Sequence, residues 1–135
     1  MSNLEDFVIE ENELVEYVGD GGDVIIPEGV TRIGESAFEC CDSLTSVSLA
    51  DSVISIGDYA FSECQNLETV IINDNVPSIS YYAFHLCTGL TSVTIGKNIT
   101  NIKRSAFELC HDLRKVYYNG DIASWCNIDF DEFAD

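Results

Sequence analysis

The feature that most constrains this 135-residue chain is an internal repeat with a period of 23 residues. Four consecutive copies begin at Val30, Val53, Val76 and Ile99, and no insertion separates them. Six positions are identical in every copy. They are Ile33, Ile56, Ile79 and Ile102; Ala37, Ala60, Ala83 and Ala106; Phe38, Phe61, Phe84 and Phe107; Cys41, Cys64, Cys87 and Cys110; Leu44, Leu67, Leu90 and Leu113; and Val47, Val70, Val93 and Val116. A unit this short cannot bury its own apolar face, so the copies are expected to stack into one continuous core.

Local patterns predict the elements of each copy. The alternation Leu-x-x-Val-x-Leu/Ile indicates a short strand, and such strands from neighbouring copies would form a parallel sheet with a spacing of about 4.8 Å. The pattern Val/Ile-x-x-Ile indicates a second short extended segment, and Ala-Phe-x-x-Cys fits one turn of helix. The predicted fold is therefore a repeat solenoid with a short-stranded parallel β-sheet and short helical turns.

Both ends of the chain are expected to cap the stack, because an uncovered sheet end favours aggregation. Residues 7–9 and 14–18 read as a pair of strands, and Val24 and Ile26 lie one period before Val47 and Leu49. At the other end, Ile122, Trp125, Phe130 and Phe133 lie one period after Ile99, Ile102, Phe107 and Cys110. Trp125 would then be a lid in an isoleucine position. We expect one domain, residues 1–135, made of an N-terminal cap (1–26), four repeats (27–118) and a C-terminal cap and tail (119–135).

Charge narrows the range of partners. The net charge is −18, from 24 acidic and 6 basic residues, and such a field repels nucleic acid and anionic membrane surfaces. Its simplest role is solubility, and the alternative is selection for a basic partner or divalent cations. No apolar run approaches the roughly 18 residues of a membrane span, so membrane insertion is not expected. The N-terminus has no pattern of a secretory signal, which leaves a cytoplasmic protein or a piece of a longer exported one.

The unit V-T-x-I-G-x-x-A-F-x-x-C-x-x-L-x-x-V-x-I resembles the BspA-type leucine-rich repeat, a bacterial and protist surface-antigen subclass. The flanks, I-I-P-E-G-V at 25–30 and Y-Y-N-G-D-I-A-S-W at 117–125, are also similar to segments of that family. The resemblance implies a right-handed leucine-rich-repeat solenoid without a shared catalytic residue. It also implies a protein-binding or adhesion module of a bacterial surface or secreted protein, with a host or matrix protein as partner. We expect the chain to be a monomer. A structural spacer in a longer rod is the alternative.

Cysteine is the most chemical-looking residue of the repeat. A column of thiols could be a ladder of metal ligands or disulfides, but its position among phenylalanine and leucine positions favours buried free thiols. No C-x-x-C pair indicates a zinc site, so neither a metal nor a cofactor is predicted. Cys40, beside the column, is expected to point outward as the most reactive thiol, and Cys126 to be half-buried. His85 and His111 occupy variable positions and are expected at the surface, so no catalytic residue is predicted.

The candidate binding residues flank the valine of the strand pattern and are expected to point away from the core. They are Ser46, Ser48, Thr69, Ile71, Ser92, Thr94, Lys115 and Tyr117, with Arg114 beside them, and the next position adds Ala50, Asn73, Gly96 and Asn119. Arginine and aromatic residues are preferred anchors of interfaces, so this surface is the predicted ligand face. An ordinary serine- and threonine-rich sheet surface remains the alternative.

Overall fold

The computed structural model describes residues 4–130, which form a β-solenoid of about five coils with little helix. The strands are β1 (Phe7–Glu10), β2 (Glu13–Tyr17), β3 (Gly22–Ile26), β4 (Arg32–Ile33), β5 (Leu44–Leu49), β6 (Ser55–Ile56), β7 (Thr69–Ile71), β8 (Ser78–Ile79), β9 (Ser92–Ile95), β10 (Asn101–Ile102), β11 (Lys115–Tyr118) and β12 (Asp129–Phe130). A 3₁₀ turn covers Leu4–Asp6, and the helix α1 covers Ile122–Cys126. The predicted repeat solenoid with a short-stranded parallel sheet is confirmed.

One five-stranded sheet runs the length of the stack in the order β11-β9-β7-β5-β3, with every pair parallel. Equal positions of successive copies lie side by side, so Val47 pairs with Val70 and Val70 pairs with Val93. Residues alternate between the core and the solvent, and Val47, Val70 and Val93 are at most 2% exposed. The 23-residue period therefore sets the register of this sheet directly.

The second extended segment of each copy forms a narrower ribbon, which is interrupted in the middle of the stack. It consists of one sheet in the order β1-β2-β4-β6 and another in the order β12-β10-β8. The amides of Ile54 and Thr100 donate to the preceding coil, to Thr31 O and Pro77 O, both at 2.8 Å. Pro77 occupies the equal position in the copy between them and has no N–H to donate. The gap between β6 and β8 follows from that proline.

The Ala-Phe segments are consecutive turns rather than the predicted turn of helix. Ala37 N donates to Gly34 O at 3.2 Å, and Glu39 N donates to Ser36 O at 3.1 Å. The alternate amides donate to the next coil instead, for example Phe38 N to Ala60 O at 2.7 Å. Every second amide of the turns is therefore left outside the internal hydrogen bonds and binds the next coil. Two residues per copy adopt a left-handed backbone, and none of them is a glycine: Ser36, Cys40, Tyr59, Glu63, Tyr82, Leu86, Ser105 and Leu109.

A column of stacked aromatic rings occupies the core behind these turns. Ring centroids are 4.8 Å apart for Phe38 and Phe61, and 5.2 Å apart for Phe61 and Phe84. Tyr17 continues the column at the N-terminal end, 4.9 Å from Phe38, and Phe7 packs on Tyr17. The first coil therefore carries an aromatic residue in the phenylalanine position although its sequence departs from the repeat.

The N-terminal strand pair is confirmed. β1 and β2 are antiparallel and are joined at Glu11 and Asn12, whose φ angles of 50° and 68° form a tight reversal. β2 then lies parallel to β4 and brings Leu14 opposite Ile33. The hairpin thereby covers one end of the core, because Leu14 is fully buried.

The predicted register of the C-terminal cap is wrong. β12 pairs with β10, so Phe130, not Trp125, lies opposite Ile102, an offset of 28 residues instead of 23 (130 − 102). The extra residues are taken up around α1, whose N-cap Asp121 accepts a hydrogen bond from Ser124 N at 2.8 Å. Trp125 is half-buried beside Tyr118 and Phe130, and the predicted position of Phe133 lies outside the described residues.

Within residues 4–130, no helix combines the length and apolarity that crossing a bilayer requires.

Candidate binding face

The predicted binding residues form two parallel rows on the solvent side of the five-stranded sheet. Its register aligns Ser46, Thr69, Ser92 and Lys115 in one row. It aligns Ser48, Ile71, Thr94 and Tyr117 in the other. We call this surface the sheet face. Ile71 and Tyr117 are 50% and 52% exposed, so two large side chains stand clear of the small hydroxyl residues between them.

Both rows extend one coil further than the sequence analysis predicts. β3 places Asp23 opposite Ser46 and Ile25 opposite Ser48, and Ile25 is 68% exposed. The sequence contains the information needed to predict this extension. Val24 and Ile26 align with Val47 and Leu49, and alternation then places Asp23 and Ile25 on the solvent side. The sheet face thus has an isoleucine at its first and third strands and a tyrosine at its fifth.

Charge is confined to the two ends of the first row. Asp23 Oδ1 accepts hydrogen bonds from Ser46 Oγ at 2.8 Å and from Thr45 Oγ1 at 3.1 Å, and these bonds lower the pKa of Asp23. Lys115 lies at the opposite end beside Arg114, and both are exposed. Together with Thr91, Ser92 and Tyr117, they line a shallow groove. Within its two rows the sheet face is therefore anionic at β3, uncharged in its middle and cationic at β11. Beside the middle strand, the exposed Glu68 occupies the position that Arg114 holds in the last copy.

The position that follows the strand pattern, occupied by Asn73 and Gly96 in the second and third copies, is not part of the binding surface in every coil. Asn73 is 8% exposed, and its Nδ2 donates to Ala50 O and Val53 O. Its Oδ1 accepts from Asn75 N at 2.6 Å, so this amide organises the turn after the strand. At Gly96 a Cβ atom would collide with the backbone of Asn73, so no side chain fits there. Both positions serve the stack rather than a ligand.

The column cysteines are free thiols, and Cys64 and Cys87 are fully buried as predicted. Each of these two donates to a phenylalanine carbonyl of the preceding coil, Cys64 Sγ to Phe38 O at 3.0 Å and Cys87 Sγ to Phe61 O at 3.1 Å. Burial raises the pKa of Cys64 to about 12 and raises that of Cys87 further. Such thiols are poor nucleophiles because almost none is ionised at neutral pH.

The ends of the column differ from its middle. Cys41 and Cys110 are only partly buried, since each belongs to a copy near the end of the repeat array. Cys110 keeps the same hydrogen bond, to Phe84 O at 3.0 Å, and burial raises its pKa to about 11. Cys126 is exposed, not half-buried as predicted, because it ends the solvent-exposed helix α1.

Cys40 points outward as predicted, but its surroundings oppose reactivity. Desolvation and the carboxylates of Glu63, Glu39 and Asp42 raise the pKa of its thiol. Potential ligand atoms of Glu39, Cys40 and Glu63 lie within 4.8 Å of one another. All three groups are exposed or half-exposed, and Glu39 and Glu63 are both anionic while the thiol stays protonated. This arrangement is that of an ordinary solvated acidic surface.

The two histidines differ in exposure. His85 is half-buried, with its ring centroid 5.2 Å from that of Tyr82 in a T-shaped contact and its Nε2 3.5 Å from Glu108 Oε1. His111 is exposed. The surface position predicted for both histidines thus holds fully for His111 and only in part for His85.

The chain is similar to known leucine-rich-repeat proteins in sequence and in structure. A family model described as "BspA type Leucine rich repeat region" matches residues 20–133 in six copies. No curated protein matches the chain. Several solved structures of bacterial leucine-rich-repeat proteins are also similar to it.

The similar structures differ in how much of them this chain covers. The Treponema pallidum leucine-rich repeat protein has a TM-score of 0.77 and 27% identity, over 88% of this chain and 64% of that one. A protein from Bacteroides capillosus has a TM-score of 0.71 and 29% identity, over 85% of this chain and 99% of that one. A leucine-rich cell surface protein from Faecalibacterium prausnitzii has a TM-score of 0.64 and 29% identity, over 87% and 38%. The chain thus spans less than two thirds of the length of two of these three relatives.

Proposed function

Because this chain belongs to the BspA-type leucine-rich repeat family, we propose that it is a protein-binding module whose partner docks on the sheet face. Solenoids of stacked repeats present extended surfaces of this kind to their partners. The observation that carries the proposal is the row with three exposed large side chains, Ile25, Ile71 and Tyr117, on an otherwise small and polar surface. Tyrosine is one of the residues that dominate the energetics of interfaces, and an aliphatic side chain can serve as an anchor when the partner provides a pocket for it.

Charge supports the same surface. The chain has a net charge of −18, yet the row from Ile25 to Tyr117 contains no charged residue. A partner can therefore approach this row without removing a strong local charge from water, which would weaken binding. The acidic residues elsewhere keep the rest of the surface hydrated. We propose no catalytic role for the chain.

A display experiment tests the sheet face without a known partner. Peptides and protein domains would be selected on the wild-type chain from a phage-displayed library, and the clones would be measured against the double variant Ile71→Ala/Tyr117→Ala. We expect binding to fall by about tenfold or more, because loss of an anchor typically costs over 1 kcal/mol. Ile54→Ala is the matched control, since Ile54 is 53% exposed but lies outside the five-stranded sheet.

Selected clones that bind the double variant as tightly as the wild type would contradict the site. Circular dichroism and urea unfolding of both variants separate loss of binding from loss of fold. Sedimentation equilibrium would check the proposed monomer against the chain mass of 14.9 kDa.

We place the module at the cell surface or outside the cell, as part of a longer protein, with a host or matrix protein as its partner. The similarity to the F. prausnitzii cell surface protein supports this location. Protease treatment of intact cells, followed by detection with an antibody against this chain, tests it. Degradation without lysis is expected, and protection until lysis would contradict a surface location.

A structural spacer is the second candidate, and one observation favours it. Val116 is 45% exposed, whereas its equivalents Val47, Val70 and Val93 are buried, so the last described coil leaves part of the core column open to a further coil. A spacer would tolerate Ile71→Ala and Tyr117→Ala in the parent protein. Deletion of one 23-residue copy would instead shorten its reach, which distinguishes the two functions.

A further inference from the structure

The second row of the sheet face alternates strictly between large apolar and small hydroxyl side chains. From β3 to β11 it reads Ile25, Ser48, Ile71, Thr94 and Tyr117. Ile25, Ile71 and Tyr117 are 68%, 50% and 52% exposed. The apolar contacts are therefore available on every second strand and are separated by side chains too small to obstruct a ligand that runs across the strands.

The spacing of these contacts favours one backbone conformation. Neighbouring strands lie about 4.8 Å apart, so the apolar side chains recur about every 9.6 Å. A polyproline II helix has three residues per turn and a rise of about 3.1 Å, so one of its faces recurs about every 9.3 Å. In an extended strand, side chains on one face recur about every 6.8 Å, which does not match the spacing of about 9.6 Å in the row. An α-helix repeats a face about every 10.5 Å, at every seventh residue, and accumulates a misfit of about 1.8 Å over the three contacts.

Hydrogen bonding is compatible with the same conformation. The backbone of a polyproline II helix has no internal hydrogen bonds, so its carbonyl groups are free to accept hydrogen bonds from a protein surface. The first row supplies hydroxyl groups beside the apolar contacts, from Ser46, Thr69 and Ser92. Ser46 already donates to Asp23, and the partly or fully exposed hydroxyls of Thr69 and Ser92 lie nearer the middle of the face.

Charge gives the ligand a chemical signature. Asp23 and Lys115 end the first row four strand intervals apart, a distance of about 19 Å, which is the length of about six polyproline II residues. A complementary ligand therefore carries a cation at the β3 end and an anion at the β11 end. Opposite charges at both ends would orient the ligand and raise its association rate.

We propose that the sheet face binds a polyproline II segment of its partner, with an apolar side chain at every third position, a cationic residue near Asp23 and an acidic residue near Lys115. The segment lies across the strands, and its apolar side chains contact Ile25, Ile71 and Tyr117. This proposal rests on the proposed protein-binding function and specifies the class of ligand.

Two synthetic peptides of the same composition test the spacing. The first, Lys-Leu-Pro-Pro-Leu-Pro-Glu-Leu-Pro, has a leucine at every third position. The second, Lys-Leu-Pro-Leu-Pro-Leu-Glu-Pro-Pro, keeps the charges in place and moves the leucines to alternate positions. Isothermal titration calorimetry on the full chain should show the first peptide binding at least about fivefold more tightly, because the contact face of the respaced peptide presents one leucine and two smaller proline rings instead of three leucines.

A pair of matched variants tests the location. Ile71→Ser places at the centre of the row the residue that already stands at position 48, so the fold should persist, and the first peptide should bind about fivefold more weakly or worse. Ile54→Ser removes an isoleucine of similar exposure from elsewhere and should leave affinity unchanged within about twofold. Equal affinity for the two peptides, no binding of the first peptide, or equal loss in the two variants would each overturn the proposal.

The display experiment separates this proposal from the proposed function. Clones that depend on Ile71 and Tyr117 but lack apolar residues at every third position would retain the binding face and refute the polyproline II ligand. Clones that ignore both residues would refute the binding face itself.

Discussion

The cysteine column shows how one side chain serves packing and hydrogen bonding together. Cysteine is small enough for the space between stacked phenylalanine and leucine positions, and its thiol is a weak donor. The carbonyl of Phe38 accepts from Cys41 N at 3.1 Å and also from Cys64 Sγ, so the thiol uses a second lone pair. The repetition of cysteine is therefore explained without metal or redox chemistry.

This burial predicts a loss of stability at alkaline pH. The pKa of Cys64 is about 12 in the folded chain against an ordinary value of 9.0, and that of Cys87 is also raised by burial. A group with a raised folded pKa stabilises the fold fully below its unfolded pKa and loses that contribution as pH rises towards the folded value. Between pH 9 and about 12, each of these thiols should lower the free energy of unfolding by about 1.4 kcal/mol per pH unit.

Urea unfolding at a series of pH values measures this slope. Cys87→Ala is the control, because it removes one buried thiol and leaves the other titrating groups in place. The decline above pH 9 should become shallower in the variant by the contribution of one thiol. The same slope in both proteins would show that the buried thiol is not responsible.

At the scale of elements, the strands and the turns differ in how visible they are in the sequence. Strand positions are predictable because alternation and the 23-residue period place Val47, Val70 and Val93 in one buried row. The turns were misassigned because their left-handed residues include Ser36, Cys40 and Tyr59 rather than glycine or asparagine, which normally signal this backbone. Stacking imposes the conformation there, since the amides it frees are bonded to the next coil.

A left-handed conformation at a residue other than glycine predicts a stabilising substitution. Ser36 has a φ of 60° and is exposed, so Ser36→Gly should raise the free energy of unfolding by about 1 kcal/mol through relief of backbone strain. Glu35→Gly, at the adjacent exposed position, should lower it by about 0.5–1 kcal/mol, because that backbone is not left-handed. Chemical denaturation of the two variants beside the wild type measures both changes. A decrease at both positions would contradict the role of strain.

At the scale of the molecule, the sequence reveals the middle of the stack better than its ends. Four copies in register fix the core and the two rows of the sheet face, and the first coil follows once Val24 and Ile26 are aligned. The strand register of the C-terminal cap was predicted wrongly because the residues around α1 make the last coil longer than 23 residues. Trp125 lies one period after Ile102 in the sequence but does not pair with it. Periodicity carries no information about an irregular insertion. The ligand, by contrast, is encoded only in the variable positions and in their spacing on the folded sheet.

The position of a copy in the stack should determine how much an identical residue contributes to stability. Phe61 is fully buried between Phe38 and Phe84, whereas Phe107 is half-buried and stacks on Phe84 alone among the described residues. Because each coil is stabilised by its immediate neighbours, Phe61→Leu should cost about 2 kcal/mol and Phe107→Leu less than about 1 kcal/mol.

The midpoints of urea unfolding measure the loss of stability in the two phenylalanine variants. A second pair of equivalent positions controls for effects that are specific to aromatic rings. Val93→Ala and Val116→Ala make the same comparison in the valine row, where the exposed fractions are 1% and 45%. The interior member of each pair should again be the more costly. Equal costs within both pairs would mean that the last coil is packed as tightly as the interior ones, and the spacer function would then lose the observation that favours it.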